Sequence, residues 1–423
     1  MLIDEIQQLR GSFLPHRNAY IAQGEPLVFH CHHYNTYLQN TLEDAGAYLD
    51  VYPILTDSAQ EIAHSQFAQY FRQEPNLSIE DRKTVVEDYF RFSGFGLINL
   101  HRTSELGGEV STTSDHYGVG YQAKYGQRPA GQPGVSFFTA GFLAGATEAI
   151  YGLPLGSLAA RQHACLAKGD PSSDFTLEKT PVRRLCASPQ EGNFQQGQLA
   201  NPLGSGIDYA GIRGALTAMP IEGGPQDGLV DAFGVLLTRM YANYYGAISY
   251  RFLKKMEAEI GEDGAAIAKE LLVEAGHNCA FHTFGGVMES AEWHALIKPM
   301  IRNREDWVHG IVACVDAFGW GFWQVTELVP YQKLTIRLES GYEANSFLKT
   351  YGTSSYPVSF LATGGTAGIM NLIYNGDITT QPELSAAYYQ QTFKSEGRFS
   401  AVQTKCRAMG DAYDEFTATR VQA

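Results

Sequence analysis

The spacing of apolar residues predicts a mixture of helices and antiparallel strands. The stretch KLTIRLES at 333–340 alternates apolar and polar residues, as a half-buried strand does. Residues 79–92 and 304–318 have helical spacing and an acidic first turn, which suits a helix N-terminus. The small-residue stretch at 137–151 is also helical in pattern, and residues 229–261 predict one long amphipathic helix. The pattern favours the α+β class, with antiparallel sheets covered by helices.

The chain repeats part of itself at a spacing near half its length. Residues 135–151 align without a gap on residues 358–374, with eight identities in seventeen positions. Residues 159–175 align on 400–416, and each of these blocks predicts a strand, a tight Gly-Asp turn and a second strand. Collinear blocks predict a tandem duplication that makes two similar modules.

A boundary between the modules is predicted near the middle of the chain. The stretch 188–228 is rich in Gly, Pro and Gln and is expected to be a linker or lid. We therefore divide the chain into a first module at 1–205 and a second at 206–423. A chain of 423 residues is also long enough for two domains.

Composition and charge narrow the classes of partner. Hydrophobic residues make up 44% of the chain and charged residues only 18%, as in a folded globular protein. The formal charge of −14 opposes binding to nucleic acid or to an anionic membrane surface. No stretch has the pattern of a signal peptide or a membrane span, so a cytoplasmic location is expected. The six cysteines form no CxxC pair, which argues against a zinc ribbon.

The segment FHCHHYN at 29–35 holds the densest group of reactive side chains. Imidazole and thiolate are common ligands for zinc and iron. If the segment is a strand, His30 and His32 point to one face while Cys31 and His33 point to the other. If it is the first turn of a helix, His30 and His33 share a face instead. In neither case can all four side chains reach one ion, so a metal site would need ligands from elsewhere.

Histidines further along the first module could complete such a site. In the register of the repeat, His101 lies opposite Thr326 and His116 lies opposite Gly341, so neither histidine recurs. The segment that contains FHCHHYN aligns with residues 270–284, where only one or two of its histidines are matched by a histidine. This asymmetry predicts that function resides in the first module.

Three interpretations of the cluster stay open. The first is a metal-assisted enzyme with iron or zinc, in which the ligands would be His30, His32, His101 and His116. The second is covalent catalysis by Cys31, with His33 and Arg102 as further catalytic residues and Arg102 neutralising a carboxylate or oxyanion. The third is a set of structural histidines near the mouth of a pocket. The candidate substrate-binding residues are Tyr34, Tyr117 and Phe138.

The end of each half resembles a known family. Residues 162–170 and 403–411 both read Gln-x-x-Cys-x-Ala-x-Gly-Asp, and a phenylalanine follows five residues later. This ending resembles the 4-vinyl reductase small-molecule-binding domain, which is related to aromatic-sensing and haem nitric-oxide-binding domains. The resemblance implies a pocket for a small apolar or aromatic molecule. It also implies zinc ligands at positions that here hold Gln162, Cys165 and Ser173, and Gln403, Cys406 and Asp414.

An amide and a serine are poor zinc ligands, so the zinc of the family is expected to be absent and the two cysteines to be packing residues. The glycines of TGGTAGIMNL lack the GxGxxG order, and no nucleotide cofactor is expected. Two classes of function therefore remain: an enzyme of small-molecule metabolism, and a non-catalytic sensor or carrier of an aromatic compound. In either case the partner is a small molecule, and a homodimer stays open.

Overall fold

The strands confirm the α+β class. The computed structural model describes residues 9–188, 197 and 205–421. Among these residues the strands form three antiparallel sheets. The strands are β1 Ser12–Leu14, β2 Ala19–Ala22, β3 Glu25–Cys31, β4 Thr103–Ser104, β5 Gly107–Thr112, β6 Leu158–Ala164, β7 Ser173–Lys179, β8 Val230–Ala232, β9 Val235–Tyr241, β10 Phe322–Val329, β11 Lys333–Glu339, β12 Phe399–Lys405 and β13 Asp414–Arg420.

Helices cover these sheets and carry most of the buried apolar side chains. The helices are α1 His32–Asp44, α2 Tyr52–Gln73, α3 Ile79–Phe92, α4 His116–Tyr125, α5 Phe137–Tyr151, α6 Tyr209–Thr217, α7 Ala242–Ile260, α8 Glu262–Cys279, α9 Gly285–Glu289, α10 Ala291–Leu296, α11 Glu305–Ala317, α12 Tyr342–Tyr351, α13 Phe360–Met370 and α14 Ala386–Phe393. Within the described residues, no helix is long and apolar enough to cross a membrane.

A five-stranded sheet joins the two halves of the chain. Its order is β1-β2-β3-β9-β8, so β3 of the first half pairs with β9 of the second. In this pair Leu27 lies opposite Tyr241 and Cys31 lies opposite Leu237. The segment that follows each strand, α1 or α7, starts directly at the end of this shared sheet. The sheet therefore brings the opening histidine cluster against the second half.

Two four-stranded sheets, one in each half, have corresponding strand orders. The first is β4-β5-β7-β6 and the second is β10-β11-β13-β12. In both sheets the strand that follows the Gly-Asp turn lies between its hairpin partner and an earlier strand. The correspondence agrees with a tandem duplication, which stays a prediction, as does the division into modules near residue 205.

The small-residue helices predicted at the repeated block let backbones pack closely. Helix α5 crosses α2, and a Cβ atom added at Gly141 would lie 2.1 Å from the carbonyl oxygen of Thr56. Helix α13 crosses α8, where a Cβ at Gly364 would lie 2.3 Å from the carbonyl oxygen of Val273. These approaches explain why glycine recurs at matching positions of the two halves.

The predicted long helix at 229–261 is wrong in its first part. Residues Val230–Tyr241 form the hairpin β8–β9, and the helix begins only at Ala242. The hairpin turns at Phe233 and Gly234, which both have positive φ. Residues 235–241 form a strand because they pair with β3, which lies about two hundred residues earlier in the chain. The local spacing of apolar residues does not reveal such a distant pairing.

The stretch predicted as linker or lid is only partly described. Residues 189–196 and 198–204 lie outside the described residues. The described remainder includes α6, which packs against α11, with the hydroxyl of Tyr209 3.2 Å from Nδ1 of His309. This part of the stretch is therefore ordered secondary structure rather than linker.

Candidate functional site

The histidine cluster spans the junction between a strand and a helix. Strand β3 ends at Cys31 and helix α1 begins at His32. The first two members of the cluster, His30 and Cys31, thus project from a strand that is buried along its whole length. The other two, His32 and His33, lie in the first helical turn. The change of geometry inside the segment sends the four side chains to different surroundings.

His30 lies inside an aromatic cage. Its ring centroid is 4.5 Å from those of Tyr34 and Trp320 and 4.7 Å from that of Tyr245. Its Nε2 atom lies 3.2 Å from the hydroxyl of Tyr342, and the residue has no exposed surface. Burial lowers the pKa of His30 well below its ordinary value. The imidazole is therefore a neutral packing group that joins both halves of the chain.

Asn35, which the sequence analysis did not select, links a second buried histidine to this cage. Its Nδ2 atom donates to Nε2 of His116 at 3.0 Å and to the hydroxyl of Thr238 at 3.1 Å. Its Oδ1 atom accepts from the hydroxyl of Tyr245 at 2.5 Å. Burial, with a smaller effect of a neighbouring histidine, lowers the pKa of His116 to about 3. His116 therefore acts as a hydrogen-bond acceptor within a core network.

Cys31 is enclosed and its thiol is protonated. Its Sγ atom lies 2.8 Å from the hydroxyl of Thr283, and Sγ of Cys279 lies 3.5 Å from the same hydroxyl. Burial raises the pKa of both thiols, although the Thr283 hydroxyl acts in the opposite direction. A thiol nucleophile needs a lowered pKa and access for its substrate. Cys31 is fully buried, so the geometry supports neither requirement.

His32 and His33 form a stack of three imidazoles with a histidine of the second half. The ring centroids of His32 and His33 are 3.9 Å apart, and those of His33 and His282 are 4.0 Å apart with nearly parallel planes. The backbone N–H of Leu236 donates to Nδ1 of His32 at 3.2 Å. Burial lowers the pKa of all three rings, to about 4 for His32 and about 3 for His282, and the nearby Lys124 adds to the effect. The stack is uncharged at neutral pH.

His101 and Arg102 lie in a different place, on an exposed loop. Nη1 of Arg102 is 3.5 Å from a carboxylate oxygen of Glu109, and both side chains are more than two-thirds exposed. His101 and Arg102 border a surface groove of about 470 Å³, whose lining also includes His163 and Asp174. No residue of the segment 30–33 lines this groove. The loop therefore does not bring His101 or Arg102 to Cys31.

The four predicted metal ligands occupy four separate settings: His30 lies in the aromatic cage, His32 in the imidazole stack, His116 in the core network of Asn35, and His101 on the exposed loop. Within the described residues, no three His, Cys, Asp or Glu side chains are arranged to hold one metal ion. A metal site needs three or four such ligands around a common point. The iron or zinc centre stays a prediction that this geometry does not support.

The three predicted substrate-binding aromatics belong to the core. Tyr34 stacks on His30, and the hydroxyl of Tyr117 is hydrogen-bonded to that of Tyr244. The ring of Phe138 lies 5.1 Å from the ring of Tyr244, and none of the three predicted residues is more than 4% exposed. Their apolar character reflects packing at the junction of the halves rather than the wall of an open pocket.

Asp115 has a structural role, because its buried carboxylate binds the start of α5. Its carboxylate accepts hydrogen bonds from the hydroxyls of Ser136 and Thr139, the second at 2.9 Å, and from the backbone N–H of Gly118 at 3.0 Å. Burial raises the pKa of Asp115, against the effect of these hydrogen bonds. The residue caps α4 and holds α5 against it.

The repeated glutamines make the same contact in both halves. Oε1 of Gln162 accepts from the backbone N–H of Ser136 at 3.0 Å, just before α5. Oε1 of Gln403 accepts from the backbone N–H of Ser359 at 3.0 Å, just before α13. Each glutamine thus satisfies an N–H at the start of a buried helix. This structural role explains why the amide recurs.

The repeated Cys and Asp residues also pair within each half. The backbone N–H of Cys165 donates to the carboxylate of Asp170 at 2.8 Å, and that of Cys406 donates to Asp411 at 2.7 Å. Both cysteines are 1% exposed. The motif therefore stabilises the turn between two strands in each half.

An open groove with aromatic walls lies on the outer side of α1, away from the aromatic cage. Its volume is about 530 Å³, which falls within the range of small-molecule pockets. Tyr48, Tyr125, Ile260 and Ile267 are 69%, 41%, 37% and 46% exposed, although all are large and apolar or aromatic. We call this feature the tyrosine groove, and its lining residues are Tyr37, Asn40, Thr41, Asp44, Ala45, Tyr48, Tyr125, Met256, Ile260, Ile267 and Leu271.

Helices of both halves build the tyrosine groove. The end of α1 supplies Tyr37, Thr41 and Asp44, which are spaced by four and three residues and so share one face. The end of α4 supplies Tyr125, and α7 and α8 supply the aliphatic wall. The spacing on α1 is visible in the sequence, but the partner helices are not.

Lys124 is not a lining residue of the tyrosine groove, but its amine lies against two aromatic side chains that are. Its Nζ atom lies 5.1 Å from the ring centroid of Tyr37 and 5.3 Å from that of Tyr125. Nζ also donates to the carbonyl oxygen of His33 at 2.9 Å and to Oδ1 of Asn278 at 2.6 Å. Burial lowers the pKa of Lys124 to about 7, although two nearby cysteines act in the opposite direction. Lys124 connects the groove to the imidazole stack.

A further groove of about 650 Å³ lies beside the start of α5. Its lining includes Phe137 and three basic side chains, Arg161, His163 and Lys168. Its walls are the start of α2, the start of α5, and β6 with the turn that follows it, and its aromatic lining residues are Tyr52 and Phe137, against three tyrosines in the tyrosine groove. The tyrosine groove is the better match for an apolar aromatic ligand.

Comparison with known proteins leaves the family open. No protein-family model and no curated protein matches the chain. One solved structure to which the chain is similar is the phenol-responsive sensory domain of the transcription activator PoxR with phenol, with a TM-score of 0.32 and 10% identity. That match covers 46% of this chain and 81% of that chain. The 4-vinyl reductase resemblance stays a prediction.

Proposed function

We propose that the protein binds a small aromatic compound in the tyrosine groove and does not convert it chemically. The observation that carries the proposal is the convergence of four exposed apolar or aromatic side chains, from both halves of the chain, on one groove. Exposed apolar side chains that converge on a groove rimmed by polar residues are a feature of ligand-binding sites. Scattered single residues would carry no such meaning.

The chemistry of the groove favours an aromatic ring with a hydrogen-bonding group. Tyr37, Tyr48 and Tyr125 offer faces and edges for stacking on a ring. Asp44, Asn40 and Thr41, on the same side of α1, offer acceptors for a hydroxyl. A phenol meets both requirements.

The expected affinity is modest. A single ring that buries about 150 Å² of apolar surface gains roughly 4 kcal/mol. That free energy corresponds to a dissociation constant of about 1 mM. Hydrogen bonds at the rim of the groove would increase the affinity, and the loss of rotational and translational freedom of the ligand would decrease it.

The surroundings of Cys31 and of the buried histidines favour binding without turnover over cysteine catalysis or metal-assisted catalysis. The Cys31 thiol is protonated and closed to solvent, and the buried imidazoles are already paired or stacked. Cysteine catalysis and metal-assisted catalysis stay predictions of the sequence that the contacts described above do not support.

The test is isothermal titration calorimetry with phenol, using cyclohexanol as a non-aromatic control of similar size. The wild type should bind phenol and bind cyclohexanol at least several-fold more weakly. The variant Ile267→Asp, which places a charge in the groove, should bind phenol about ten-fold more weakly. Val402→Asp is the matched control, because Val402 is 62% exposed on β12 and outside the groove.

Phenol recovered unchanged after prolonged incubation, as followed by NMR, would agree with binding alone. Equal affinity for phenol and cyclohexanol, or equal loss in both aspartate variants, would contradict the proposal. Conversion of phenol would contradict the proposal that the ligand is not converted, and it would favour the catalytic hypotheses instead.

A further inference from the structure

We infer that Lys124 is a covalent attachment site for an aromatic aldehyde that enters the tyrosine groove and forms an imine with the Nζ amine. This inference rests on the proposed function, because the groove must first hold the ring of the aldehyde. It extends that function from reversible packing of a ring to recognition of a carbonyl group.

The geometry isolates the amine from carboxylates. Among the described residues, Lys124 forms no ion pair, and its hydrogen-bond acceptors are the neutral carbonyl oxygen of His33 and the amide oxygen of Asn278. By contrast, Nζ of Lys333 lies 2.7 Å from a carboxylate oxygen of Glu327. A largely buried lysine without a carboxylate partner is costly to keep charged.

The surroundings of Lys124 favour its uncharged form. Burial is the largest cause of its lowered pKa of about 7, and the thiols of Cys31 and Cys279 oppose it. Near neutral pH a large part of the amine is therefore unprotonated, which is the form that attacks a carbonyl carbon.

The position of Lys124 also matches an aldehyde held in the groove. The residue is partly exposed, and the rings of Tyr37 and Tyr125 lie about equally far from Nζ. Both rings line the tyrosine groove. An aromatic ring packed against these two side chains would bring a carbonyl substituent to the amine, and proximity of this kind strongly favours the addition.

The reaction is balanced without an oxidant or a reductant. The lone pair of Nζ adds to the carbonyl carbon, and a proton passes from nitrogen to oxygen to give a carbinolamine. Loss of the hydroxyl as water, with the second amine proton, leaves a carbon–nitrogen double bond. Protonation of that imine would restore an N–H that can donate to the carbonyl oxygen of His33, which Nζ already contacts at 2.9 Å.

The test is reductive trapping on the full chain with benzaldehyde and sodium cyanoborohydride near neutral pH, followed by peptide mapping by mass spectrometry. The expected product carries one benzyl group on Lys124, formed at least ten-fold faster than on any other lysine. Lys124→Arg should lose this product. Lys269→Arg is the matched control and should keep it, because Lys269 is also partly exposed and lies 4.3 Å from a tyrosine ring centroid, but that ring belongs to Tyr356, which does not line the groove.

Competition separates this inference from the proposed function. Phenol at saturating concentration should slow benzylation of Lys124 and leave Lys269 unaffected. If phenol binds in calorimetry but the benzyl groups are spread over the exposed lysines, the inference is overturned and the proposed function stands. If phenol does not bind at all, the proposed function fails. Labelling of Lys124 that phenol does not slow would overturn the inference, since the amine would then react from outside the groove.

Discussion

The aromatic cage around His30 and the tyrosine groove beside Lys124 each include a tyrosine of α1, Tyr34 or Tyr37, yet they differ in exposure and in pairing. The cage has no exposed imidazole surface, and His30 has partners on every side. In the groove, Tyr48 and Tyr125 are 69% and 41% exposed, and Lys124 lacks an anionic partner among the described residues.

The difference shows that residue type alone does not mark function in this chain. A histidine inside an aromatic core fills space and satisfies hydrogen bonds, which stabilises the junction of the halves. A tyrosine held open at a groove retains apolar surface that only a ligand can bury. Substitutions in the cage should therefore change stability, and substitutions in the groove should change binding.

The largest expected effect is on stability, from His30→Ala. Removing the ring would leave a cavity between Tyr34 and Trp320 and would remove one hydrogen-bond partner of the Tyr342 hydroxyl. The free energy of unfolding should fall by about 3 kcal/mol, measured by urea denaturation. His101→Ala on the exposed loop is the control and should change it by less than about 0.5 kcal/mol. Equal effects of the two substitutions would break the distinction between the buried and exposed histidines.

A second effect concerns the pH dependence of stability. Because burial lowers the pKa of His116 to about 3, the unfolded chain takes up this proton first as the pH falls below 6.5. The folded state should therefore lose stability through His116 between about pH 6.5 and pH 3. His116→Gln should lose about 2 kcal/mol less than the wild type between pH 7 and pH 4.5, measured by urea titrations at each pH. Parallel pH profiles would mean that His116 is accessible to protons in the folded state.

A third effect is on ligand binding, and it should occur without a change in stability. Tyr125→Ala removes one wall of the groove and should weaken phenol binding several-fold, by about 1 kcal/mol, because stacking on the ring is lost. The ring is 41% exposed, so the urea midpoint should move little. Tyr331→Ala, at an exposed tyrosine outside the groove, is the matched control. A large loss of stability with unchanged binding would assign Tyr125 to the core instead.

The smallest effect is expected for Arg102→Ala. Among the described residues Arg102 pairs with the exposed Glu109, and exposed pairs contribute little to stability. Phenol binding should be unchanged, and the free energy of unfolding should change by less than about 0.5 kcal/mol. A marked loss of phenol affinity in this variant would move the binding site to the loop groove.

Local patterns predicted much of the fold. The helix expected at 79–92 spans Ile79–Phe92, with the capping box of Ser78 and Asp81 at its start. The strand KLTIRLE and the helix Phe137–Tyr151 also lie where the spacing indicated. These elements were predictable because their apolar periodicity and caps are local.

The hairpin at Val230–Tyr241 and the surroundings of FHCHHYN were not predictable in this way. The first depends on pairing with β3, and the second depends on residues more than 200 positions away, such as Tyr245 and His282. The density of histidines indicated chemistry, whereas the contacts assign them to packing. Lys124 had no distinguishing signal, because its isolation from carboxylates arises only when α1, α4 and α8 meet.

The most direct measurement is a crystal structure of the protein with 4-iodophenol, in which anomalous scattering locates the iodine without reference to any assumed site. We expect one strong peak in the tyrosine groove, against Tyr125 and Ile267, with the phenol oxygen toward α1. A peak in the groove beside Arg161, or no peak at concentrations that saturate the calorimetric signal, would contradict binding in the tyrosine groove.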